Sequence, residues 1–369
     1  MYIELRKDIV EKAEQNETSC IDVLNALYWA YKHGKHFIYL PFNVCKAIYE
    51  SKLSDDIKNK FKEIAKQTSF IGELNTLICV KAVITTESCE SSDSQKIVNI
   101  NPLQLNDFVI HEETHLLTEN LCDASFFEYL TEYYKRENRK KLKRIAFKYF
   151  PLQGGGDTIC KVMEKEIELK EHFCLAIVDS DKKYIDCGYG ETCKKLKRVM
   201  ERKPFNCFMY NMENVREIEN LIPYKVIESC ADYKSNPIVN NGITFDMSYF
   251  DMKDGLKVKD INNEKVYKYW HKTFQDKYSN IADKIDYYKR IFNCKRRVKN
   301  KKGKYENLTN GTIIQGFGSS LLENIMKNDK KHRLYKVDEN DLSESQKTEW
   351  NTIGKYILAW CCSGYIHRV

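Results

Sequence analysis

Six consecutive residues, Phe173 to Val178, carry no charged or strongly polar side chain, and the run stops abruptly at Asp179-Ser180-Asp181. An apolar run of that length predicts a strand buried on both faces. Around it, short strand-like runs alternate with helical periodicity. A strand over Thr114–Asn120 precedes a helix over Ala124–Arg136, and a strand over Ile145–Phe150 leads through Gly154-Gly155-Gly156-Asp157 into a helix over Thr158–Leu169. After the central strand come a helix over Glu191–Lys203, a strand over Phe205–Tyr210, and Arg216-Glu217-Ile218-Glu219-Asn220 at a helix onset. Strands alternating with helices through short loops predict an α/β fold with a parallel sheet flanked by helices.

The flanks read differently. Upstream, helical spacing over Ser19–His33 stops at Gly34, a suitable residue just past a helix end. Strands are expected over His36–Leu40, Thr76–Thr86 and Lys96–Ile100, with a helix over Asp55–Lys66 and a polar loop over Glu87–Gln95. Residues 1–108 thus form an N-terminal α/β module with a docking or structural role. Residues 109–260 hold the main sheet. Residues 261–369 are a helical C-terminal region, with one long aromatic-rich helix over Lys265–Phe292 and further helices over Leu321–Met326 and Trp350–Trp360. The aromatics of the long helix fit a core or a homodimer interface better than a platform for stacked bases.

Composition narrows the class. The start, MYIELRKDIVEKAEQ, is charged throughout, and no apolar stretch reaches the length of a bilayer span, so a cytoplasmic protein without membrane contact is expected. The fourteen cysteines include no pair at CxxC spacing, which disfavours a cysteine-based zinc site and predicts reduced thiols. The net charge of +7 is unevenly placed, with basic clusters at Arg139–Arg144, at Lys194–Arg198 with Arg202 and Lys203, and at Lys295–Lys304. Together these suit a polyanionic partner such as nucleic acid; singly, each is a solvated helix face or loop.

Carboxylates fall at three strand ends: Glu119 and Asp123, Asp179 and Asp181, Glu217 and Glu219. Parallel strands present their carboxyl ends on one edge, so these acids are expected to gather there. Packed together they repel unless cations neutralise them, and oxygen-only donors suit Mg²⁺ or Mn²⁺. Such ions can serve phosphodiester cleavage by stabilising attacking and leaving oxygens. The plainer reading makes the acids caps and turn residues.

Other chemistries stay open. His111-Glu112-Glu113-Thr114-His115 matches HExxH, which would make a zinc metallopeptidase if the segment were one helix with His111 and His115 on a shared face and Glu112 as base. Leu121 stands where a third ligand at metzincin spacing would fall. An apolar run ending in DxD also introduces the aspartyl nucleophile of some phosphatases, there after the first strand of the domain. A non-catalytic binding module holding a structural ion is the alternative outside enzymology.

The stretches TENLCDASFF, FPLQGGGDT, LAIVDSD and NVREIENLIP, in this order, resemble the Toprim domain, most closely nucleases of the OLD (overcoming lysogenization defect) type. The resemblance covers about residues 114–230, with Asn120 where the family usually has glycine. It implies a Toprim-like fold and a Mg²⁺-dependent endonuclease. Glu119, Asp123, Asp179 and Asp181 would hold metal, with Glu217 or Glu219 completing a second site. It also implies a downstream catalytic lysine, for which Lys253 in YFDMKDG is the candidate, although a solvated turn lysine fits there equally. DNA-directed members commonly carry an ABC-type ATPase, but the chain contains no G-x4-G-K-[ST], and Gly311–Gly316 continues into Phe317-Gly318. The layout is therefore similar to standalone Toprim effectors of two-gene phage-defence systems of the PARIS type. That implies a separate ATPase sensor as partner and a toxic effector that cleaves RNA, including tRNA, or DNA.

Overall fold

The charged first segment, MYIELRKDIVEKAEQ, begins with a buried strand. Every residue of β1 (Tyr2–Leu5) is buried. Glu4 interrupts the apolar pattern, yet it is shielded from solvent, with Arg6 3.0 Å from one carboxylate oxygen and Lys81 2.8 Å from the other. A carboxylate is tolerated inside when cations and hydrogen bonds meet it. The computed structural model describes the whole chain except residues 69–73, 93–94, 106, 294–297, 300–304, 307–310, 329–333 and 365–369.

From β1 the chain runs through α1 (Lys7–Glu14), α2 (Thr18–Lys32), β2 (Phe37–Tyr39), α3 (Phe42–Glu50), α4 (Asp55–Thr68), β3 (Val80–Ile84) and β4 (Lys96–Ile100). Helix α2 ends where expected, with Gly34 in the left-handed conformation (φ 59°) just past it. The strands form a parallel sheet in the order β2-β1-β3-β4, so the strand concealed by Glu4 lies inside it.

A second sheet follows. Its elements are α5 (Asp107–His111), β5 (Thr114–Thr118), α6 (Leu121–Glu137), α7 (Arg139–Leu142), β6 (Ala146–Phe147), β7 (Tyr149–Gln153), α8 (Ile159–Leu169), β8 (Cys174–Val178), α9 (Glu191–Met200) and β9 (Cys207–Asn211). Its order is β7-β5-β8-β9, with β5 parallel to both β7 and β8. The run Phe173–Val178 is buried throughout. One strand is shifted from its expected place. Ile145 packs in a core cluster with Leu142 and Tyr134, and pairing with β5 begins only at Tyr149.

Beyond β9 come α10 (Tyr224–Ser229), α11 (Pro237–Asn240), β10 (Gly255–Lys257), α12 (Glu264–Gln275), α13 (Ser279–Asn293), β11 (Val298–Lys299), β12 (Tyr305–Glu306), β13 (Thr312–Gln315), α14 (Leu321–Asn328), α15 (Glu344–Cys361) and β14 (Cys362–Ser363). The single helix expected over Lys265–Phe292 is two, α12 and α13. Trp270 and Phe274 are buried against Phe245, as the core reading of these aromatics requires. Strands β10 and β13 pair antiparallel, and Gly255 allows it: φ is 78°, and a β-carbon would collide with the Ile314 carbonyl. Of the basic run Lys295–Lys304, only the backbone of β11 falls within the described residues; the rest lies outside them.

Where the sequence suggests boundaries at 108 and 260, packing groups the chain into two units. The first comprises Met1–Val178, Lys194–Tyr210 and the chain from Trp350; the second comprises Asp179–Cys193 and Asn211–Glu349. The first unit holds both sheets. Trp350 and Trp360 of α15 are fully buried in it, Trp350 edge-on to Tyr133 and Trp360 against Phe173 and Phe208. No described helix is long and apolar enough to cross a membrane.

Candidate metal centre

Asp179 directly follows β8, and the turn after it is tied to a distant segment by backbone hydrogen bonds. The amides of Ser180 and Asp181 donate to the Arg216 carbonyl at 3.0 and 2.9 Å, and Ser180 Oγ donates to the Val215 carbonyl at 2.6 Å. The Ile218 amide in turn donates to Asp179 Oδ1 at 3.0 Å. The DSD and REIEN stretches, separated in sequence, are thereby joined.

Within REIEN, Asn220 fixes the conformation. Its Oδ1 accepts from the Glu217 amide (2.8 Å), and its Nδ2 donates to the carbonyls of Met247 (2.6 Å) and Phe250 (2.9 Å). That draws in the third segment, where the Met252 amide donates to Glu217 Oε1 at 2.7 Å. Arg216 pairs with Asp251 at 2.5 Å. Lys253 then points at the acids, its Nζ 3.1 Å from Glu219 Oε1 and 3.7 Å from Glu217 Oε2.

Asp179, Glu217 and Glu219 each offer an oxygen within 4.8 Å of the other two. Glu217 and Glu219 are buried, and Glu219 Oε2 has no hydrogen-bond partner. Burial, with Glu219 alongside, pushes the Glu217 carboxyl up to about 7 against the opposing pull of Lys253. Burial alone would lower the Lys253 pKa, but Glu219, Glu217 and Asp179 hold it above the ordinary lysine value. Three convergent carboxylates, one of whose buried oxygens has no hydrogen-bond partner, form an oxygen-only donor set that a divalent cation would satisfy, with the Lys253 ammonium alongside. Beside it, a cleft of about 530 Å³ is lined by Lys253, Lys257, Asn236, Gln315 and Phe317 among others.

Three further carboxylates, Asp181, Glu119 and Asp123, were expected as ligands. Asp181 does not join the group: it takes a left-handed conformation (φ 54°), is exposed, and its carboxylate lies over Gly190, where a β-carbon would strike it. The turn that brings Asp179 inward carries Asp181 away. Glu119 and Asp123 belong to the first unit, after β5 and in the first turn of α6. Asp123 is buried and accepts from the Asn120 amide at 2.9 Å, a capping role.

The HExxH segment is not one helix. It begins at the last residue of α5 and ends in β5, so its two histidines share no helical face, and the peptidase geometry proposed for His111, Glu112 and His115 is absent. His111 lies against Trp29 with ring centroids 4.6 Å apart, and Glu112 lies 3.8 Å from Lys35. Asn220 and Asp251 are site residues that local pattern did not mark as such. Asn220 lies in NVREIENLIP and Asp251 in YFDMKDG, where Asp251, two residues before Lys253, carries the local signal of a second charged side chain on the same turn. No family model, curated protein or solved structure matches the chain.

Proposed function

We propose that this protein is a divalent-metal-dependent nuclease of the Toprim type, cleaving phosphodiester bonds in RNA such as tRNA or in DNA. The observation that carries the reading is the convergence of Asp179, Glu217 and Glu219, with an unpartnered buried oxygen and Lys253 alongside. The residues fit Mg²⁺ or Mn²⁺; when bound, such an ion supplies Lewis-acid stabilisation of phosphate charge. The chain's own groups do the rest. Asp179 is oriented by the Ile218 amide and Glu217 by the Met252 amide, so the carboxylates are fixed before a ligand arrives. Lys253, held cationic, stands where it can meet negative charge developing on a phosphoryl group in the adjoining cleft. Arg216, by pairing with Asp251, positions the turn that carries Lys253.

Exposed basic residues on α7 and α9, including Arg139, Lys140, Lys194 and Arg198, support a polyanionic substrate. The Toprim resemblance adds Glu119 and Asp123 as further metal ligands, a separate ABC-type ATPase as controlling partner, and a cytoplasmic, toxic role in antiphage defence. The purified full chain, incubated with total tRNA, single-stranded RNA and duplex DNA, is expected to cut at least one of them with Mg²⁺ or Mn²⁺, and to stop on chelation or in Asp179→Asn. A folded protein that cuts none of them, alone or with its ATPase, overturns the proposal. Cutting that survives Asp179→Asn moves the chemistry elsewhere.

A further inference from the structure

The second histidine of the HExxH pattern belongs to another constellation. His115 in β5, His172 just before β8 and Glu166 in α8 each offer a ligand atom within 4.8 Å of the others, and all three lie in the first unit. Nδ1 of His115 is 3.2 Å and Nδ1 of His172 is 3.6 Å from the same oxygen, Glu166 Oε2. The imidazole rings stack with centroids 3.8 Å apart and planes inclined by 19°. Both Nδ1 atoms are buried, and neither makes a well-formed hydrogen bond.

Protons satisfy this arrangement poorly. Two imidazolium ions stacked so closely repel each other, and in this geometry both buried Nδ1 atoms face the carboxylate without a well-formed hydrogen bond. One divalent cation among the three groups would satisfy both nitrogens and the carboxylate together. The surrounding structure holds the ligands in place. Buried Asn206 donates from Nδ2 to the carbonyls of Glu166 (2.8 Å) and His172 (3.1 Å), tying the two ligand-bearing segments together. The His115 amide donates to the Phe173 carbonyl at 2.7 Å.

We infer that His115, Glu166 and His172 form a binding site for a borderline transition-metal cation, Zn²⁺ first among them, built from no residue of the Asp179 cluster. Two imidazole nitrogens and a carboxylate oxygen are donors that suit zinc and not magnesium. Three protein ligands leave a further coordination position, and side-chain exposures of 11 to 22% leave it a route to solvent. In this place the ion joins α8 to the starts of β5 and β8.

The test uses the full chain stripped by chelator and titrated with Zn²⁺ or Co²⁺ alone. It is expected to bind about one equivalent of Zn²⁺ with a rise in Tm, and to give a visible Co²⁺ absorption band. Glu166→Gln and His172→Asn, with unchanged circular dichroism, should lose both signals, while Asp179→Asn keeps them. Nuclease activity does not enter the readout, so failure here and failure of the nuclease reading are distinct. Wild type binding Co²⁺ no better than Glu166→Gln overturns the inference. Should the variants unfold, the imidazole NMR signals of wild-type His115 and His172 decide: Zn²⁺ must shift both, and an unshifted pair overturns it.

Discussion

Lys253 Nζ stands 3.1 Å from Glu219 Oε1, placing an ammonium against a buried carboxylate whose other oxygen has no hydrogen-bond partner. A surface turn lysine would have no reason to be held so. The contact partly neutralises the acids while leaving an oxygen for a further cation.

Lys253→Ala is therefore expected to lower the cleavage rate by about 10²- to 10³-fold, the usual cost of removing a group that meets developing charge. Circular dichroism should be unchanged. Steady-state kinetics should place the loss in kcat and not in KM. A change confined to KM would assign Lys253 to binding alone.

The two acids of the DSD turn are expected to part company. Asp179 lies in the convergent group, whereas Asp181 is exposed and turned towards Gly190. Asp179→Ala should abolish metal-dependent cleavage, and Asp181→Ala should retain most of it. Side-by-side rates at saturating Mn²⁺ check this; equal loss in both would mean that Asp181 moves inward when metal binds.

The raised Glu217 pKa predicts a pH dependence of stability in metal-free protein. The shift from 4.5 to about 7 means that the folded chain holds this proton more tightly than the unfolded chain. Its contribution is complete below about 4.5 and is lost as pH rises through about 7. Thermal melts in chelator should show Tm falling across that window, and Glu217→Gln should flatten this part of the slope. Metal binding, which needs the ionised form, should strengthen over the same range.

Glu349 has no exposed surface and accepts hydrogen bonds from the Glu213 amide (3.3 Å), the Asn214 amide (3.1 Å) and Asn214 Nδ2 (2.9 Å). These bonds anchor the segment leading into Arg216 and Glu217. Glu349→Ala removes three hydrogen bonds to a charged carboxylate, leaves partly buried donors unmet and is expected to cost about 1–3 kcal/mol, read as a lower urea midpoint at unchanged slope.

The parts of the chain that were legible in sequence share a physical cause. Phe173–Val178 is apolar without interruption because both of its faces are covered, so its strand and the acid at its end stood out. β1 was concealed because Glu4 is neutralised by Lys81 and Arg6, partners that only the folded sheet supplies. The DxD spacing singled out Asp179, which the structure brings beside Glu217 and Glu219, but could not report the left-handed turn that diverts Asp181. His115 was visible as half of a short motif, while its partners Glu166 and His172 come from a helix and a strand start far along the chain. Lys253 was a candidate only through the family resemblance. The hydrogen bonds through Asn220 and Met252 that bring it to the acids have no signature in local pattern.

The most direct test is an electron paramagnetic resonance titration of Mn²⁺ into the full chain, comparing wild type with the isosteric Glu219→Gln. The account predicts that wild type withdraws Mn²⁺ from the free signal and that Glu219→Gln, equally folded, does so far less. Identical free-Mn²⁺ signals in the two proteins would contradict it.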